Sequence, residues 1–105
     1  TDFDAAGFAV VKKDELLAVV DKAGNLITKY KYDEIAPFSE GLAMVRLANK
    51  DREKRLVGYI NTKGEEVIAP QFKFARSFGG KFAEVQQGNS WGYIDQTGKW
   101  AIKAQ

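Results

Sequence analysis

The residues that could carry covalent catalysis are few in this chain. Histidine and cysteine are absent from its 105 residues, and serine occurs only at Ser39, Ser77 and Ser90. A serine nucleophile needs a neighbouring base to take its proton, and histidine is the usual one. The residue types therefore predict that the protein is not an enzyme.

Carboxylates are more abundant, and a pair of them could hydrolyse a glycosidic bond. Asp33, Glu34, Glu40, Glu84 and Asp95 are available, but nearly any soluble chain offers as many. The chain has no Asp-x-Asp-x-Asp-Gly pattern of a calcium loop. Without histidine or cysteine it also lacks the usual zinc ligands. We therefore expect neither a metal nor another cofactor.

Aromatic rings are better candidates, because stacked rings can bind sugar rings or unpaired bases. Most rings should fill the core between repeats, among them Phe38, Phe72, Phe78 and Phe82. Trp100 and Tyr30 differ, since their repeat positions carry Glu66 and Leu26, and Pro70, in other copies. Such positions can face solvent, which predicts Trp100 and Tyr30 as binding residues.

The most strongly charged segment of the chain runs from Arg46 to Arg55. Its basic residues are Arg46, Lys50, Arg52, Lys54 and Arg55. The segment is six residues longer than the corresponding turns elsewhere, and insertions in repeat proteins often lie on the binding face. One interpretation is a solvated hairpin tip whose charges neutralise one another. The other is a contact loop for a phosphate or an acidic partner.

A repeated element must position these candidates. The stretch Trp91–Gly98 (WGYIDQTG) matches residues 57–64 and 17–24 in chemical type, position after position. Gly24 and Gly64 are 40 residues apart, and Gly64 and Gly98 are 34 apart. Periods of this size are typical of repeat architectures in which each repeat is one supersecondary unit.

Each copy predicts a strand that enters a tight turn and returns as a hairpin. Asp21, Asn61 and Asp95 each stand three residues before a glycine. In a type I turn such a side chain accepts a nearby backbone N–H, and the glycine takes the left-handed conformation. The return strands are expected at 25–28, 65–68 and 99–102.

Glycine also recurs inside the first strand of the hairpin. Gly92, Gly58 and Ala18 share one repeat position, and a glycine within a strand usually marks the close approach of another backbone or ring. We expect a packing slot there, covered by a ring of the neighbouring unit. The candidate rings are Tyr30, Phe72 and Phe38.

The match continues beyond the hairpin, since residues 30–45 align without a gap on residues 70–85. One domain therefore contains a half-unit at 3–11, units at 17–45 and 57–85, and a half-unit at 91–105. The half-units could pair and close the structure, as in a propeller, or the domain could belong to a longer array. A joined terminal unit would be several residues short, which favours the longer array.

At these residues the chain resembles the bacterial WG-repeat proteins, whose name refers to a tryptophan–glycine pair. The resemblance rests on Trp91–Asp95 with Gly98, on residues 67–72 (VIAPQF) and on residues 37–45 (PFSEGLAMV). It covers nearly the whole chain, although Val57 and Leu17 replace the tryptophan. It implies a short-period β-repeat, frequent in secreted or surface-associated proteins, without an established catalytic activity.

Composition narrows the choice of partner. A hydrophobic content of 45% with 12% aromatic residues argues against disorder. The net charge of +2 is too small to imply a polyanion, so nucleic acid is the weakest binding hypothesis. No apolar run approaches the roughly 20 residues of a membrane-spanning helix.

Together these observations predict an all-β fold of about three tandem hairpin repeats, arranged as a short array or a partly closed propeller-like sheet. We expect a non-catalytic binding or scaffold module that contacts another protein or an envelope component, through its exposed aromatics and the charged loop. The alternative is a carbohydrate-binding module that uses Trp100 and Tyr30.

Overall fold

The computed structural model describes residues 6–104. The predicted half-units 3–11 and 91–105 therefore lie partly outside the described residues, at positions 3–5 and at position 105. In the described part the only helical element is a short 3-10 turn at Arg52–Lys54. No helix among these residues has the length and apolar character that crossing a bilayer would require.

The described residues form ten strands in two antiparallel sheets. The strands are β1 (Ala9–Lys13), β2 (Leu16–Val20), β3 (Tyr32–Ile35), β4 (Leu42–Leu47), β5 (Val57–Asn61), β6 (Glu66–Phe72), β7 (Phe74–Ala75), β8 (Phe82–Gln87), β9 (Ser90–Asp95) and β10 (Trp100–Ile102). Strands β1 to β6 form one sheet in sequential order, and β7 to β10 form the other. The chain passes between the sheets at Lys73.

The terminal strands do not meet. Strand β1 lies at one edge of the six-stranded sheet, and β10 lies at an edge of the four-stranded sheet. The prediction of an all-β repeat fold is thus confirmed, and the described chain is an open short array rather than a closed propeller.

The three hairpin turns have the predicted chemistry. In each turn, the side-chain oxygen of Asp21, Asn61 or Asp95 accepts the N–H groups two and four residues later, at 2.9 to 3.1 Å. The glycines that follow are left-handed, with φ between 82° and 89°. Hydrogen bonds from the hydroxyl and N–H of Thr97 also lower the pKa of Asp95 below its usual value.

The return strands agree with prediction in two copies of three. Strands β6 and β10 occupy the expected places, but residues 25–28 form only an isolated bridge between Val20 and Leu26. Here the prediction is wrong because a side chain replaces the backbone partner. The Val19 N–H donates to the Thr28 hydroxyl at 3.0 Å, so a regular ladder does not form.

The glycine position within the hairpin is a site of close backbone approach, as predicted. A Cβ atom on Gly58 would lie 2.4 Å from the carbonyl oxygen of Ile68, and one on Gly92 would lie 2.5 Å from that of Ile102. The prediction that Tyr30, Phe72 or Phe38 covers this position is wrong, because none of these rings is among the nearest atoms at Gly58 or Gly92. Only Gly92 has a ring among its nearest atoms, and that ring is Trp100 of the same hairpin.

The core forms two separate clusters, each centred on one full unit and completed by residues of its neighbours. The buried residues of the first cluster are Val19, Tyr32, Ala43 and Val45 of unit 17–45 with Ile60 of the next unit. Those of the second cluster are Tyr59, Ile68, Phe72, Phe78, Ala83 and Val85 of unit 57–85, with Leu42 and Ile94 from the neighbours. Phe38 is partly buried against the first cluster. Phe82 was expected in the core but is 48% exposed, because no described unit follows to cover it.

Candidate functional site

In the charged loop, residues 46–55, the arginines at both ends interact with the carboxylate of Asp33. Asp33 on β3 accepts a hydrogen bond from Arg46 Nε at 2.5 Å, and its second oxygen lies 3.7 Å from Arg55 Nε. Arg46 also lies 3.4 Å from Glu34. Asp33 is only partly exposed, so these charges interact more strongly than fully solvated ones would. Two of the five basic residues predicted to bind therefore also order the loop.

Local hydrogen bonds shape the tip of the loop. The side chain of Asp51 accepts the Glu53 N–H at 3.0 Å and caps the 3-10 turn, while Asn49 caps the Asp51 N–H at 3.0 Å. Arg55 Nε donates to the carbonyl of Asn49 at 2.6 Å. None of the residues of the turn is buried. The tip of the loop therefore holds a defined conformation with its charged side chains in solvent.

This loop forms one wall of a pocket of about 590 Å³. The opposite wall comes from the start of β7 and from the tight turn between β8 and β9. The lining residues are Arg46, Arg52, Glu53, Arg55, Leu56, Lys73, Phe74, Gly88 and Asn89. Four cations thus face one carboxylate around an apolar surface, because Leu56 and the half-exposed Phe74 contribute to the same lining.

The structure separates the predicted basic residues into two groups. Arg46, Arg52 and Arg55 line the pocket, whereas Lys50 and Lys54 are exposed elsewhere on the loop. Within residues 6–104, neither of these lysines nor Arg52 has an ion-pair partner. Arg52 is therefore the predicted residue best placed to meet a ligand anion in the pocket.

The two predicted aromatic residues lie apart from the pocket and from each other. Trp100 on β10 is partly buried and packs edge-on against Phe72, with the ring centroids 6.0 Å apart. Tyr30, before β3, lies 6.0 Å from the Lys13 ammonium group. Their role in sugar binding stays a prediction. Trp100 lies on the four-stranded sheet and Tyr30 precedes a strand of the six-stranded sheet, so the two rings do not share a described site.

Five lining residues lie outside the charged loop and were not predicted as binding residues: Leu56, Lys73, Phe74, Gly88 and Asn89. Lys73 and Phe74 follow β6, and the repeat alignment gave them no special place. One feature of the sequence could have indicated Phe74. It stands at the repeat position of Glu34, so an acidic residue in one unit is replaced by an aromatic residue in the next. The meeting of Phe74 with the charged loop depends on how the two sheets pack.

A second group of charges lies at the first junction between units. The Tyr32 hydroxyl donates to Glu66 at 2.7 Å, and Lys31 Nζ lies 2.9 Å from the same oxygen. Burial would raise the pKa of Glu66, but hydrogen bonds from Tyr32 and Lys31 outweigh it and lower that pKa. Burial, with Glu66 as neighbour, raises the pKa of Tyr32. This group links the two units through a hydrogen bond and an ion pair on one carboxylate.

No cluster of three or more histidine, cysteine, aspartate or glutamate side chains among residues 6–104 is placed to hold a metal ion. The comparison with protein families gives one match: a model described as "WG containing repeat" matches residues 19–50, 58–91 and 91–105. No curated protein and no solved structure matches the chain. The matched segments begin and end close to the units seen in the structure.

Proposed function

The chain belongs to the family of proteins with WG-containing repeats, and from this premise we propose that it is a non-catalytic binding module. Its ligand is an acidic segment of another protein, in solution or in the cell envelope. The segment binds in the pocket beside the charged loop. The observation that carries the proposal is the lining of this pocket, in which four cations and an exposed ring surround one carboxylate.

The cations of the pocket divide between structure and recognition. Arg46 and Arg55 hold Asp33, so removing either would also loosen the loop. Arg52 and Lys73 have no ion-pair partner among the described residues, and each lines the pocket. A carboxylate that enters the pocket can therefore pair with Arg52 and Lys73 without breaking the contacts that order the loop.

Phe74 supports a ligand with an apolar group next to its charge. The ring is half exposed and lies within the same lining as the cations. A ring or aliphatic side chain of the partner could cover it and remove apolar surface from water, worth about 25 cal/mol per Å². The pocket thus favours an acidic segment that also contains aromatic or aliphatic residues.

The chemistry of the lining suits binding better than catalysis. Guanidinium groups are hydrogen-bond donors without an acceptor and are not deprotonated in proteins, so they are poorly suited to general acid–base catalysis. Ser90 has the G-x-S-x-G spacing with Gly88 and Gly92, but it begins a strand after a tight hairpin turn. A nucleophile elbow instead leads from a strand into a helix. These features support a non-catalytic role.

The proposal can be tested with a fluorescein-labelled peptide of alternating glutamate and phenylalanine, and with its glutamine counterpart. We expect the acidic peptide to bind more tightly, with an affinity that falls as salt is added. The double variant Arg52→Ser/Lys73→Ser should weaken binding roughly tenfold, because two solvent-exposed charged contacts are together worth up to about 2 kcal/mol. Fluorescence anisotropy measures both effects.

The matched control is Lys63→Ser/Lys81→Ser, which removes the same charge from two exposed turns outside the pocket. Equal loss of affinity in both double variants would show that only net charge attracts the peptide, and would contradict a site at the pocket. Tighter binding of a single-stranded oligonucleotide than of the peptide would replace the protein ligand by a nucleic acid.

Carbohydrate binding is the second candidate, and one observation favours it. Trp91 and Tyr93 present half-exposed rings on the same side of β9, as a stacking platform would. The predicted pair Trp100 and Tyr30 offers partly exposed rings elsewhere. Retention on an immobilised polysaccharide or peptidoglycan, lost in Trp91→Ala or in Trp100→Ala, would identify the platform. No retention on any of them would remove this candidate.

A further inference from the structure

The four-stranded sheet has a buried side and an outward side. Val85 and Ile94 belong to the second core cluster, and Ala75 packs against it. Because side chains alternate along a strand, alternate residues of the same strands point to the opposite side. We call the apolar residues of that side the outer face. They are Phe74, Phe82, Trp91, Tyr93 and Ile102, and each is between 39% and 54% exposed.

The outer face is continuous with the pocket through Phe74, which lines the pocket. Phe74 pairs with Gln86 of β8, and Gln86 pairs with Trp91 of β9. Residues that pair directly across antiparallel strands point to the same side, so these three side chains form one row. Two strand spacings, about 10 Å, separate the two ends of the row. The row therefore runs from the lining of the pocket to the Trp91 ring.

A second row lies next to the first. Tyr93 pairs with Glu84 on β8 and with Ile102 on β10, so these side chains share the outward side. Tyr93 stands two residues after Trp91, which places the two residues about 7 Å apart along the strand. Alternate side chains of any extended chain have about the same spacing. A partner segment in extended conformation can therefore place two side chains on Trp91 and Tyr93.

Arg76 adds a positive charge to this side of the sheet. Its guanidinium lies 5.9 Å from the centre of the Trp91 ring, and its Nε lies 3.0 Å from Glu84. The Arg76 side chain is 71% exposed, and an exposed ion pair contributes little to stability. Arg76 can therefore exchange Glu84 for a carboxylate of a ligand.

On the basis of the proposed function, on which this step rests, we infer that the pocket and the outer face form one continuous site. Its ligand is an extended segment of a partner protein, with acidic residues at the pocket and apolar residues on Trp91 and Tyr93. Phe74 connects the two parts, because it borders the cations and belongs to the row of Trp91. About four residues of extended chain span the distance from Phe74 to Tyr93.

Charge favours a protein segment of this kind over the other occupants. A neutral polysaccharide could stack on the rings but would leave Arg52, Lys73 and Arg76 without a counter-charge. A second copy of the chain that used the same face would bring its own cations against these three, and like charges at an interface oppose binding. An acidic segment that continues into apolar residues complements both parts of the site.

The test uses fluorescein-labelled peptides and fluorescence anisotropy. The block peptide has three glutamates, a glycine and then phenylalanine, glutamine and phenylalanine, and it is made in both chain directions. The alternating peptide has the same residues with glutamate and phenylalanine interspersed, and the acidic peptide has serine for both phenylalanines. The better block peptide should bind roughly tenfold more tightly than the other two, because only it reaches the cations and both rings together.

A double variant of the outer face tests the apolar part. Trp91→Ser/Tyr93→Ser should weaken binding of the block peptide roughly tenfold and change binding of the acidic peptide by less than about twofold. The matched control is Leu26→Ser/Val67→Ser, which removes two exposed apolar side chains outside the four-stranded sheet. It should leave both affinities unchanged. Melting curves by circular dichroism check that each variant is folded.

A second readout does not depend on these variants. Trp100→Phe leaves Trp91 as the sole tryptophan, so acrylamide quenching then reports on the outer face alone. The block peptide should lower the quenching of Trp91 severalfold. The acidic peptide, which reaches only the pocket, should leave the quenching unchanged.

Several results would overturn the continuous site and leave the proposed function standing. One is equal affinity of the block and acidic peptides, with both affinities dependent on Arg52 and Lys73. Another is an equal loss of affinity in Leu26→Ser/Val67→Ser, which would show unspecific apolar attraction. Stronger protection of Trp91 by a polysaccharide than by the block peptide would make the outer face a sugar platform. A concentration-dependent dimer that Trp91→Ser abolishes would make a second copy the occupant.

A different result would overturn both proposals together. If Arg52→Ser/Lys73→Ser left the affinities of all the peptides unchanged, the pocket would not bind the acidic residues. The proposed function would then fail, and the continuous site would fail with it because it would lack its acidic end.

Discussion

Tyr59 and Tyr93 occupy the same place in successive units and have opposite environments. Tyr59 is completely buried, whereas Tyr93 is 41% exposed. The strands around them have the same pairing, since β4 and β8 hold β5 and β9 in equivalent registers. The difference therefore comes from the residues that cover each ring: Phe78 and Arg76 contact Tyr59, whereas Tyr93 keeps a large exposed fraction. An apolar face in a repeat protein becomes core only when a neighbour covers it.

The largest expected effect tests this comparison directly. Ile68→Ala should destabilise the protein by about 2–5 kcal/mol, because it leaves a cavity in the second core cluster. Ile102→Ala, at the same repeat position but at an exposed residue of β10, should cost less than about 1 kcal/mol. Urea unfolding followed by circular dichroism measures both. Equal losses would mean that the two faces do not differ in packing.

A glycine series sharpens the comparison at the turns. Alanine at Gly24, Gly64 or Gly98 meets a positive φ, which costs about 1–2 kcal/mol at each position. At Gly64 the new Cβ would also overlap the carbonyl oxygen of Ile27 in the preceding unit, whereas nothing lies within 4 Å of it at Gly24. Gly64→Ala should therefore be worse than Gly24→Ala by roughly 1–3 kcal/mol.

Thermal unfolding of the three glycine variants provides the measurement, with Gly98→Ala close to Gly24→Ala. At Gly98 the new Cβ would be in van der Waals contact with Ile68 at 3.4 Å. If all three variants lost the same stability, the turn of the middle unit would not be packed on its neighbour as the structure shows.

A hydroxyl deletion measures the contribution of the hydrogen bond made by the buried Tyr59. Tyr59→Phe leaves the Arg76 carbonyl without its donor and should cost about 1 kcal/mol. Tyr93→Phe should be neutral within error, because water replaces the lost contact at an exposed residue. The difference in the free energy of unfolding between the two variants is the quantity to compare. If Tyr59→Phe left the free energy of unfolding unchanged, the hydrogen bond from the Tyr59 hydroxyl to the Arg76 carbonyl would not contribute to stability.

The smallest effect distinguishes the two junctions by pH. Glu66 has a lowered pKa in the folded protein, so its contribution is present above the pKa of the unfolded chain and is lost as pH falls through the folded value. Below about pH 4 the protein should therefore lose up to about 1 kcal/mol through this residue. Glu66→Gln should show a smaller acid loss. If Glu66→Gln lost as much stability at low pH as the original protein, Glu66 would not contribute to the acid dependence of stability.

The second junction provides the contrast for that measurement. There Phe72 and Trp100 take the repeat positions of Tyr32 and Glu66 and meet as an aromatic pair. Substituting Trp100 by Phe should leave the acid dependence of stability unchanged. The same two positions therefore connect units through a charged hydrogen bond in one junction and through rings in the next.

Much of the local fold could be predicted because its causes lie within a few residues. The Asp or Asn of each hairpin turn bonds to N–H groups only two and four positions away, and the glycine supplies the left-handed residue. The departure at residues 25–28 has a local cause too, because the Thr28 hydroxyl accepts the Val19 N–H that would otherwise bond to a backbone carbonyl.

The candidate site could be predicted only in part. The length and charge of the insertion predicted Arg46, Arg52 and Arg55 as binding residues, and these residues line the pocket. Lys73 and Phe74 could not be associated with them. Lys73 connects the two sheets, and Phe74 begins β7 of the four-stranded sheet. Their distance from the charged loop depends on how whole units pack.

The sequence by itself determined the repeat, its turns and the alternation of apolar residues on each strand, since these follow from local hydrogen bonds and from the two-residue period of a strand. Only the tertiary structure decided which apolar faces are covered, which basic residues share a carboxylate, and where Trp100 lies. Each of these depends on contacts between units, because burial belongs to a pair of surfaces and the sequence of one surface does not supply the other.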